Sequence, residues 1–175
     1  PDTVITGCSN SGKITVDSTA TKGNNQSAAG ISGRANAKSV GITVKNCSNR
    51  DEIYGYHQTG GVIGYNTSSS TVEGCYNTGK VESKYSYAGG VVGRFCGDKT
   101  TDDNSSAVKI QNCFSGGKVT AGEGIKSYAI YWNNACKADE GNIKDNMILE
   151  GCADFASQES PDGTKIAEDY TKAGN

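Results

Sequence analysis

Hydrophobic residues recur along this chain in a short fixed pattern. Four segments contain an Ile or Val, two further residues, a Cys, five further residues and a second Ile or Val: residues 5–14, 44–53, 72–81 and 110–119. A fifth copy begins at Leu149 and Cys152 but has Gln158 at the position of the second anchor. Self-similarity of this kind predicts stacked repeats, in which each segment belongs to one structural turn.

A second hydrophobic element follows each of the first four segments. It is a short stretch flanked by glycines, at residues 29–33, 60–64 and 89–93. The fourth copy, residues 128–132, has Tyr and Trp where glycines stand in the others and departs from the pattern. The glycines fit a tight inward approach of the backbone or a corner with positive φ.

Each repeat contains three β-prone stretches that are too short to fold alone, such as residues 71–74, 80–83 and 90–93. Stacked about 4.8 Å from their equivalents, such stretches complete parallel ladders and bury their Ile, Val and Cys side chains in a continuous file. The polar stretches after each Cys, such as residues 9–12 and 76–79, are predicted turns, where Asn and Gly tolerate left-handed backbone angles. The sequence therefore predicts an all-β parallel β-helix, or β-solenoid, of about four to five turns.

The repeats predict a solenoid domain over residues 1–152 and a C-terminal cap or linker over residues 153–175. Thr164 is a candidate N-cap for a short capping helix over residues 165–172, which Gly174 would end. A linker into a further domain is an equally good interpretation. Residue 1 is Pro and no signal-peptide pattern follows it, so we expect the chain to be a fragment of a longer protein.

Composition and charge argue against binding to nucleic acids and against insertion into membranes. The formal net charge is −2, whereas nucleic-acid binding needs a basic stripe, so we expect no nucleic-acid partner. No run of about 18 apolar residues is present, so we expect no membrane insertion. The oligomeric state cannot be inferred from these features.

Five of the seven cysteines are in phase with the repeat, separated by steps of 39, 28, 38 and 39 residues. They are predicted to form an internal file of small buried side chains: Cys8, Cys47, Cys75, Cys113 and Cys152. The chain has no Cys-x-x-Cys pair, and its single histidine, His57, is not near a cysteine in sequence. We therefore expect no metal site and no cofactor.

The other two cysteines, Cys96 and Cys136, each follow the glycine-flanked element of their own turn. They lie in the long insertions at residues 94–107 and 133–142. Equivalent positions on consecutive turns are neighbours, so these two are the candidate disulfide pair, which would suit an oxidising exterior. Two unpaired thiols are an equally good interpretation.

No catalytic constellation is evident, and we expect that the chain is not an enzyme. The nucleophile-elbow, zinc-protease and phosphate-loop motifs are all missing from the sequence. The arginines, Arg34, Arg50 and Arg94, lie in separate turns. The acidic stretch at residues 98–104 could bind calcium through its oxygens, but it has no loop signature, and a solvated turn is favoured.

Tyrosines are the most informative surface residues. The weak candidates for ligand binding are Tyr54, Tyr76, Tyr85, Tyr87 and Tyr128. On an exposed face, stacked tyrosines can form a platform for sugar rings or for a protein partner. The favoured alternative is aromatic stacking between turns that only stabilises the solenoid.

The two elements together resemble the GLUG-motif repeats of secreted and wall-attached bacterial proteins. Residues 30–33, 61–64 and 90–93 provide the glycine-flanked part, and residues 46–53, 74–81 and 112–119 the cysteine-containing part. The resemblance covers roughly residues 4–152. Such repeats also occur in immunoglobulin A-specific metallopeptidases outside the catalytic domain, and no catalytic residue is carried over.

The resemblance implies a non-catalytic extracellular module with a structural or adhesive role. Attachment to the cell surface would run through parts of the parent protein outside this fragment, and the expected partner is a host protein or a glycan. The alternative is a carbohydrate-binding accessory domain of a secreted glycan-active protein.

Overall fold

The structure, a computed structural model, describes residues 3–16, 26–35, 41–66, 70–95, 108–123, 127, 131–133, 147–150 and 153–154. All regular elements in these ranges are β-strands, and all their pairings are parallel. The predicted parallel β-solenoid is therefore confirmed. Within the described ranges no helix is long and apolar enough to cross a membrane.

The strands follow the chain from turn to turn. The first turn contains β1 (Thr3–Thr6), β2 (Ser9–Asn10), β3 (Ile14–Thr15), β4 (Ser27–Ala29) and β5 (Ser32–Ala35). The second contains β6 (Ile42–Lys45), β7 (Ser48–Asn49), β8 (Ile53–Gly55), β9 (Gln58–Gly60) and β10 (Ile63–Asn66). The third contains β11 (Ser70–Glu73), β12 (Tyr76–Asn77), β13 (Val81–Ser83), β14 (Ala88–Gly89) and β15 (Val92–Phe95). The remaining strands are β16 (Val108–Gln111), β17 (Phe114–Ser115), β18 (Val119–Thr120), β19 (Tyr131–Asn133), β20 (Met147–Glu150) and β21 (Ala153–Asp154).

Strands at equivalent positions of successive turns stack into five sheets. The orders are β1-β6-β11-β16-β20, β2-β7-β12-β17-β21, β18-β13-β8-β3, β14-β9-β4 and β19-β15-β10-β5. A complete turn thus has five strands rather than three β-prone stretches. The additional strands form because a neighbouring turn supplies their hydrogen bonds, whatever the local β-propensity. Tyr76 N, for example, donates to Cys47 O at 3.0 Å.

The degenerate fourth copy still extends the solenoid. Strand β19 pairs with β15, but the register shifts between Val92 and Phe95. Strands β20 and β21 add a fifth member to two sheets at the incomplete fifth copy. Residues 155–175, which include the predicted capping helix, lie outside the described residues, and the predicted division into two domains stays a prediction.

The main core combines both hydrophobic elements of each turn. The anchors that precede the cysteines, Val44, Val72 and Ile110, cluster with the glycine-flanked pair Val62 and Ile63 and with its equivalents in the next turn. These five side chains are at most 1 % exposed. Burial of each is worth about 1.5–3 kcal/mol relative to exposure, so stacking of turns stabilises sequences that are individually too sparse to fold.

A column of asparagines, buried at Asn49 and Asn77 and half-buried at Asn10, runs beside this core. Asn10 Nδ2 donates to Asn49 Oδ1 at 2.8 Å, and Asn49 Nδ2 donates to Asn77 Oδ1 at 2.7 Å. Each amide also donates to the carbonyl two residues later in its own turn, at 2.7 or 2.8 Å. The prediction that Asn10 and Asn77 lie in turns is therefore wrong: both lie in strands, because stacking offers their amides in-register partners.

Left-handed backbone angles occur instead at the residue before each cysteine. The φ angles are 67° at Gly7, 52° at Asn46, 61° at Gly74 and 50° at Asn112. Gly and Asn are the residues that adopt this conformation most readily. Each of these residues turns the chain at a corner and directs it into the next strand.

The glycines of the second element permit close approach of two backbones. A Cβ added to Gly61 would collide with Gly90 O and would lie 2.5 Å from Asn77 Cγ. Similarly, a Cβ on Gly30 would lie 2.9 Å from Asn49 Cβ. Each glycine therefore packs against the asparagine column of the following turn, and neither has a positive φ. Of the two roles predicted for these glycines, close approach is the one found here.

The asparagine column ends at Ser115, which suggests a stabilising substitution. Ser115 pairs with Asn77 in the ladder, and its buried Oγ has no hydrogen-bond partner among the described residues. We expect Ser115→Asn to extend the column and to raise the free energy of unfolding by about 0.5–1.5 kcal/mol, measured by urea denaturation. Ser115→Ala, which only removes the buried hydroxyl, is the matched control. An equal gain in both variants would contradict extension of the column.

Two glycines with different surroundings test the close approach. We expect Gly61→Ala to lower the free energy of unfolding by about 1–3 kcal/mol or more, because its Cβ has no room. Gly12→Ala is the control, since the nearest atom to its added Cβ is Asn10 Oδ1 at 3.9 Å. Thermal unfolding followed by circular dichroism measures both. Similar stability of the two variants would contradict the packing of Gly61 against the asparagine column.

Candidate functional site

Three of the in-phase cysteines belong to the main core. Cys47, Cys75 and Cys113 are buried free thiols. Each donates to the carbonyl two residues before it, at 3.2 Å for Cys47 and Cys113 and 3.4 Å for Cys75. Each also lies 3.5 to 3.9 Å from a carbonyl of the preceding turn. These three thiols occupy an internal file and bond both turns that they touch.

Cys8 differs from the expectation of an internal residue. It occupies the equivalent position in the first turn, but it is exposed, because β1, β2 and β3 are the outermost described strands of their sheets. The remaining cysteines, Cys96, Cys136 and Cys152, lie outside the described residues, so their disulfide and file assignments stay predictions. In the described part of the chain, no cluster of three or more His, Cys, Asp or Glu side chains could hold a metal ion.

The candidate tyrosines do not form one platform. The structure distributes them over three separate groups, and Tyr128 lies outside the described residues. Tyr54 and Tyr85 belong to the first group, Tyr76 to the second and Tyr87 to the third. Each group has its own cationic side chain, and these cations distinguish the groups chemically.

The first group is an aromatic cluster around Lys84. Tyr56 makes edge-to-face contacts with Tyr54 and Tyr85, with ring centroids 5.9 and 5.4 Å apart. Lys84 Nζ lies 5.0 Å from the ring centroid of Tyr56 and 4.9 Å from that of Tyr85. A hydrogen bond with Tyr85 raises the pKa of Lys84, together with electrostatic interactions with the tyrosines. The chain's own lysine thus occupies the position that a cationic ligand would take.

The second group is a stacked aromatic pair. The rings of Tyr76 and Phe114, which pair in register, are 4.8 Å apart and nearly parallel, at an interplanar angle of 2°. Arg50 Nε and Nη2 donate to the Tyr76 hydroxyl at 3.0 and 2.6 Å. Hydrogen bonds with Ser48 and Arg50 lower the pKa of Tyr76. The ring faces of Tyr76 and Phe114 thus pack against each other between turns, as expected if aromatic stacking serves only to stabilise the solenoid.

The third group is a column that sequence reasoning missed. Tyr65 pairs in register with Arg34 on one side and with Arg94 on the other. The Arg34 Cζ lies 5.0 Å from the ring centroid of Tyr65, and the Arg94 Cζ lies 5.4 Å from it. Arg94 also lies 4.8 Å from the ring centroid of Tyr87. We name Arg34, Tyr65, Arg94 and Tyr87 the arginine–tyrosine column.

The aligned repeats contained the signal for this column. Arg34, Tyr65 and Arg94 each follow the last glycine of the glycine-flanked element in their own turn. Because equivalent positions of a solenoid are about 4.8 Å apart, separation by a whole turn in sequence means adjacency in space. Arg34 and Arg94 do lie in separate turns, as the sequence indicates, but they occupy equivalent positions on one sheet. Arg50 follows β7, which belongs to a different sheet.

The fold and these surfaces define a β-solenoid repeat module with ordered columns of outward side chains. Residues 55–82 match the family model of the GLUG motif, which confirms the resemblance over that segment. The matched segment includes both Gly61 and Asn77, which are in contact, so the motif coincides with a packing unit that spans two turns. The motif is typical of extracellular proteins, and the chain is thus an extracellular-type repeat module. Comparison with the curated proteins and with the solved structures found no match.

Thiol labelling tests the cysteine file. We expect iodoacetamide to modify Cys8 in the native protein and to leave Cys47, Cys75 and Cys113 unmodified until denaturant is added. Burial raises the pKa of the Cys47 thiol, which lowers its reactive thiolate fraction further. Peptide mass spectrometry identifies the modified sites. Rapid native labelling of the three buried thiols at the rate of Cys8 would contradict the internal file.

Proposed function

We propose that this solenoid is a non-catalytic structural and adhesive module of a bacterial cell-surface protein. Attachment to the cell surface would run through parts of the parent protein beyond this fragment, and the expected partner is a host protein or a glycan. The GLUG-motif match over residues 55–82 supports the extracellular setting. The bacterial surface and the adhesive role are the steps that we add.

The observation that carries the adhesive role is the contrast between inward and outward positions. Inward positions repeat the same types of residue in successive turns, as in the column of Asn10, Asn49 and Asn77. Outward positions instead carry lysine, glutamate, arginine and tyrosine in ordered columns. The sheets hold these side chains at a fixed spacing, so little conformational entropy is lost when a partner binds to the surface.

A carbohydrate-binding accessory domain is the second candidate function. The arginine–tyrosine column favours it, because tyrosines and arginines are amphipathic side chains that suit sugar rings and their anionic substituents. The Lys84 and Tyr76 groups favour it less, since their aromatic faces are engaged within the protein.

Adhesion of fragment-coated beads tests the primary proposal. We expect beads coated with the folded fragment to be retained on host epithelial cells more than beads coated with albumin. The retained fraction is measured under flow by microscopy. Retention equal to that of albumin beads on every cell type tested would contradict the adhesive role.

Enzymatic treatment of the host cells separates the two candidate partners. If proteases remove retention and glycosidases do not, the partner is a host protein. If glycosidases remove retention, the partner is a glycan, and the carbohydrate-binding alternative is favoured. Heat-unfolded fragment on otherwise identical beads is the control for non-specific attachment.

A further inference from the structure

We propose that Tyr54, Tyr56 and Tyr85 bind a quaternary ammonium group that has an anionic group beside it, as in phosphocholine. We call these three residues the tyrosine cage. Lys84 occupies the cage in the structure, and the ligand would displace it. The inference rests on the proposed function and gives the solenoid a site and a ligand group.

The three rings of the tyrosine cage are steeply inclined to one another. Tyr56 meets Tyr54 at an interplanar angle of 82° and Tyr85 at 66°. Tyr54 and Tyr56 belong to the second turn and Tyr85 to the third, where Tyr85 N donates to Tyr56 O at 2.9 Å. Inclined rings can surround a compact cation, whereas a sugar ring needs one flat, uncovered aromatic face. The cage therefore suits a cation better than a sugar ring.

A cation already lies among these rings. Lys84 Nζ is 5.0 Å from the ring centroid of Tyr56 and 4.9 Å from that of Tyr85. Both distances are within the roughly 6 Å over which a ring attracts a cation. A hydrogen bond joins Lys84 to Tyr85, and electrostatic interactions extend to Tyr54. Because Lys84 is exposed and Tyr56 is buried, departure of the lysine would uncover the ring face that it contacts.

Lys84 differs in its charge surroundings from other lysines on the solenoid. Lys13 pairs with Glu52 at 2.9 Å, and Lys45 pairs with Glu73 at 2.7 Å. In the described part of the chain, no ion pair includes Lys84, whose partners are tyrosines. Contacts with neutral rings hold an exposed ammonium group only weakly. Lys84 can therefore leave the cage without breaking an ion pair.

A quaternary ammonium ligand has an advantage over Lys84 that a primary ammonium ligand lacks. A primary ammonium ligand offers the same group as Lys84, which has the benefit of attachment to the chain. A quaternary ammonium group has no N–H donors to satisfy and presents methyl groups to the rings, which suits it to aromatic cages. We therefore expect choline-type groups to compete with Lys84 better than lysine-type groups.

An anionic group beside the ammonium would make the exchange more favourable. A phosphate next to the quaternary ammonium can accept charge-assisted hydrogen bonds from the displaced Lys84. The phosphate also reduces the repulsion between the two cations. Phosphocholine would thus occupy the cage with its ammonium group and give Lys84 the anionic partner that it lacks among the described residues.

Titration of the whole chain with small molecules tests the site. The probes are phosphocholine, choline, ethanolamine and dimethylbutanol, the uncharged isostere of choline, at an ionic strength of about 0.15 M. Chemical shifts of the tyrosine rings in NMR spectra report binding. We expect phosphocholine to bind more tightly than choline. Ethanolamine and dimethylbutanol should bind at least about fivefold more weakly than choline, because one lacks the methyl groups and the other the charge.

Matched lysine variants test the displacement. We expect Lys84→Ala to strengthen choline binding by about threefold or more, because the competing cation is gone. In the same variant phosphocholine should lose its advantage over choline, because no lysine contacts the phosphate. Lys45→Ala removes the same charge on another sheet and should change either affinity by less than about twofold.

Ring variants locate the ammonium group. Tyr85→Leu removes one wall of the cage and should weaken phosphocholine binding by about fivefold or more. Tyr85→Phe keeps the ring and removes only the hydroxyl, so its affinity should stay within about twofold of the native value. Tyr85 is half-buried, and circular dichroism checks that both variants are folded.

Phosphatidylcholine vesicles distinguish the source of the group. If the chain binds both soluble phosphocholine and these vesicles, the site is supported and a lipid headgroup can supply the ligand. If it binds soluble phosphocholine and not the vesicles, the site is supported and the ligand is a group carried outside a membrane. Vesicle binding that Tyr85→Leu leaves unchanged would contradict a role for the cage.

The outcomes separate this inference from the proposed function. The site is overturned if neither choline nor phosphocholine binds to the native chain or to Lys84→Ala, or if folded Tyr85→Leu binds fully. Unchanged choline affinity in Lys84→Ala would overturn the displacement. If phosphocholine does not bind while fragment-coated beads still adhere to host cells, the cage is wrong and the adhesive role stands. If neither binding nor adhesion is found, both proposals fail.

Discussion

Hydrogen bonding between identical asparagine side chains in successive turns is the interaction on which this solenoid depends. Each amide of the column bonds to the neighbouring turn and to its own backbone, so it fixes both the stacking distance and the course of the chain within a turn. A buried amide without such partners would cost about 1–3 kcal/mol. The column therefore favours one register, since a shift of one residue would leave several buried amides unpaired.

The glycine-flanked element has to be understood together with this column. Gly61 is required where the backbone meets the asparagine of the next turn, and the hydrophobic pair beside it fills the main core. Glycine, valine and asparagine therefore recur together because each occupies the space that the others leave. This mutual dependence explains why the GLUG-motif match runs from one turn into the next rather than along a single turn.

The sequence predicts the solenoid well, because its anchors, cysteines and glycines repeat in the same order. It does not predict the asparagine column, since Asn77 in a short polar segment favours a turn when that segment is considered alone. The sequence does not predict strands β12 and β14 either, because they form through hydrogen bonds with neighbouring turns. The sequence also does not predict which surface side chains are in contact. Two side chains from different turns lie close together only if they occupy equivalent positions within those turns, and the candidate tyrosines do not, so they divide among three groups. Arg34 and Arg94 share such a position, and alignment of the repeats was sufficient to pair them.

Two columns alternate between two kinds of residue from one turn to the next. The corner column reads Gly7, Asn46, Gly74 and Asn112, and a Cβ on Gly74 would lie 2.5 Å from Asn46 Oδ1. The arginine–tyrosine column alternates arginine with tyrosine over three turns, whereas the charged column reads Lys13, Glu52, Lys80 and Lys118. In these two columns the pattern therefore repeats every two turns, whereas the asparagine column repeats every turn. Loss of the second turn alone would bring Arg34 beside Arg94 and Gly7 beside Gly74. Gene duplication or deletion that lengthens or shortens such an array should thus preserve these two columns best when turns are gained or lost in pairs.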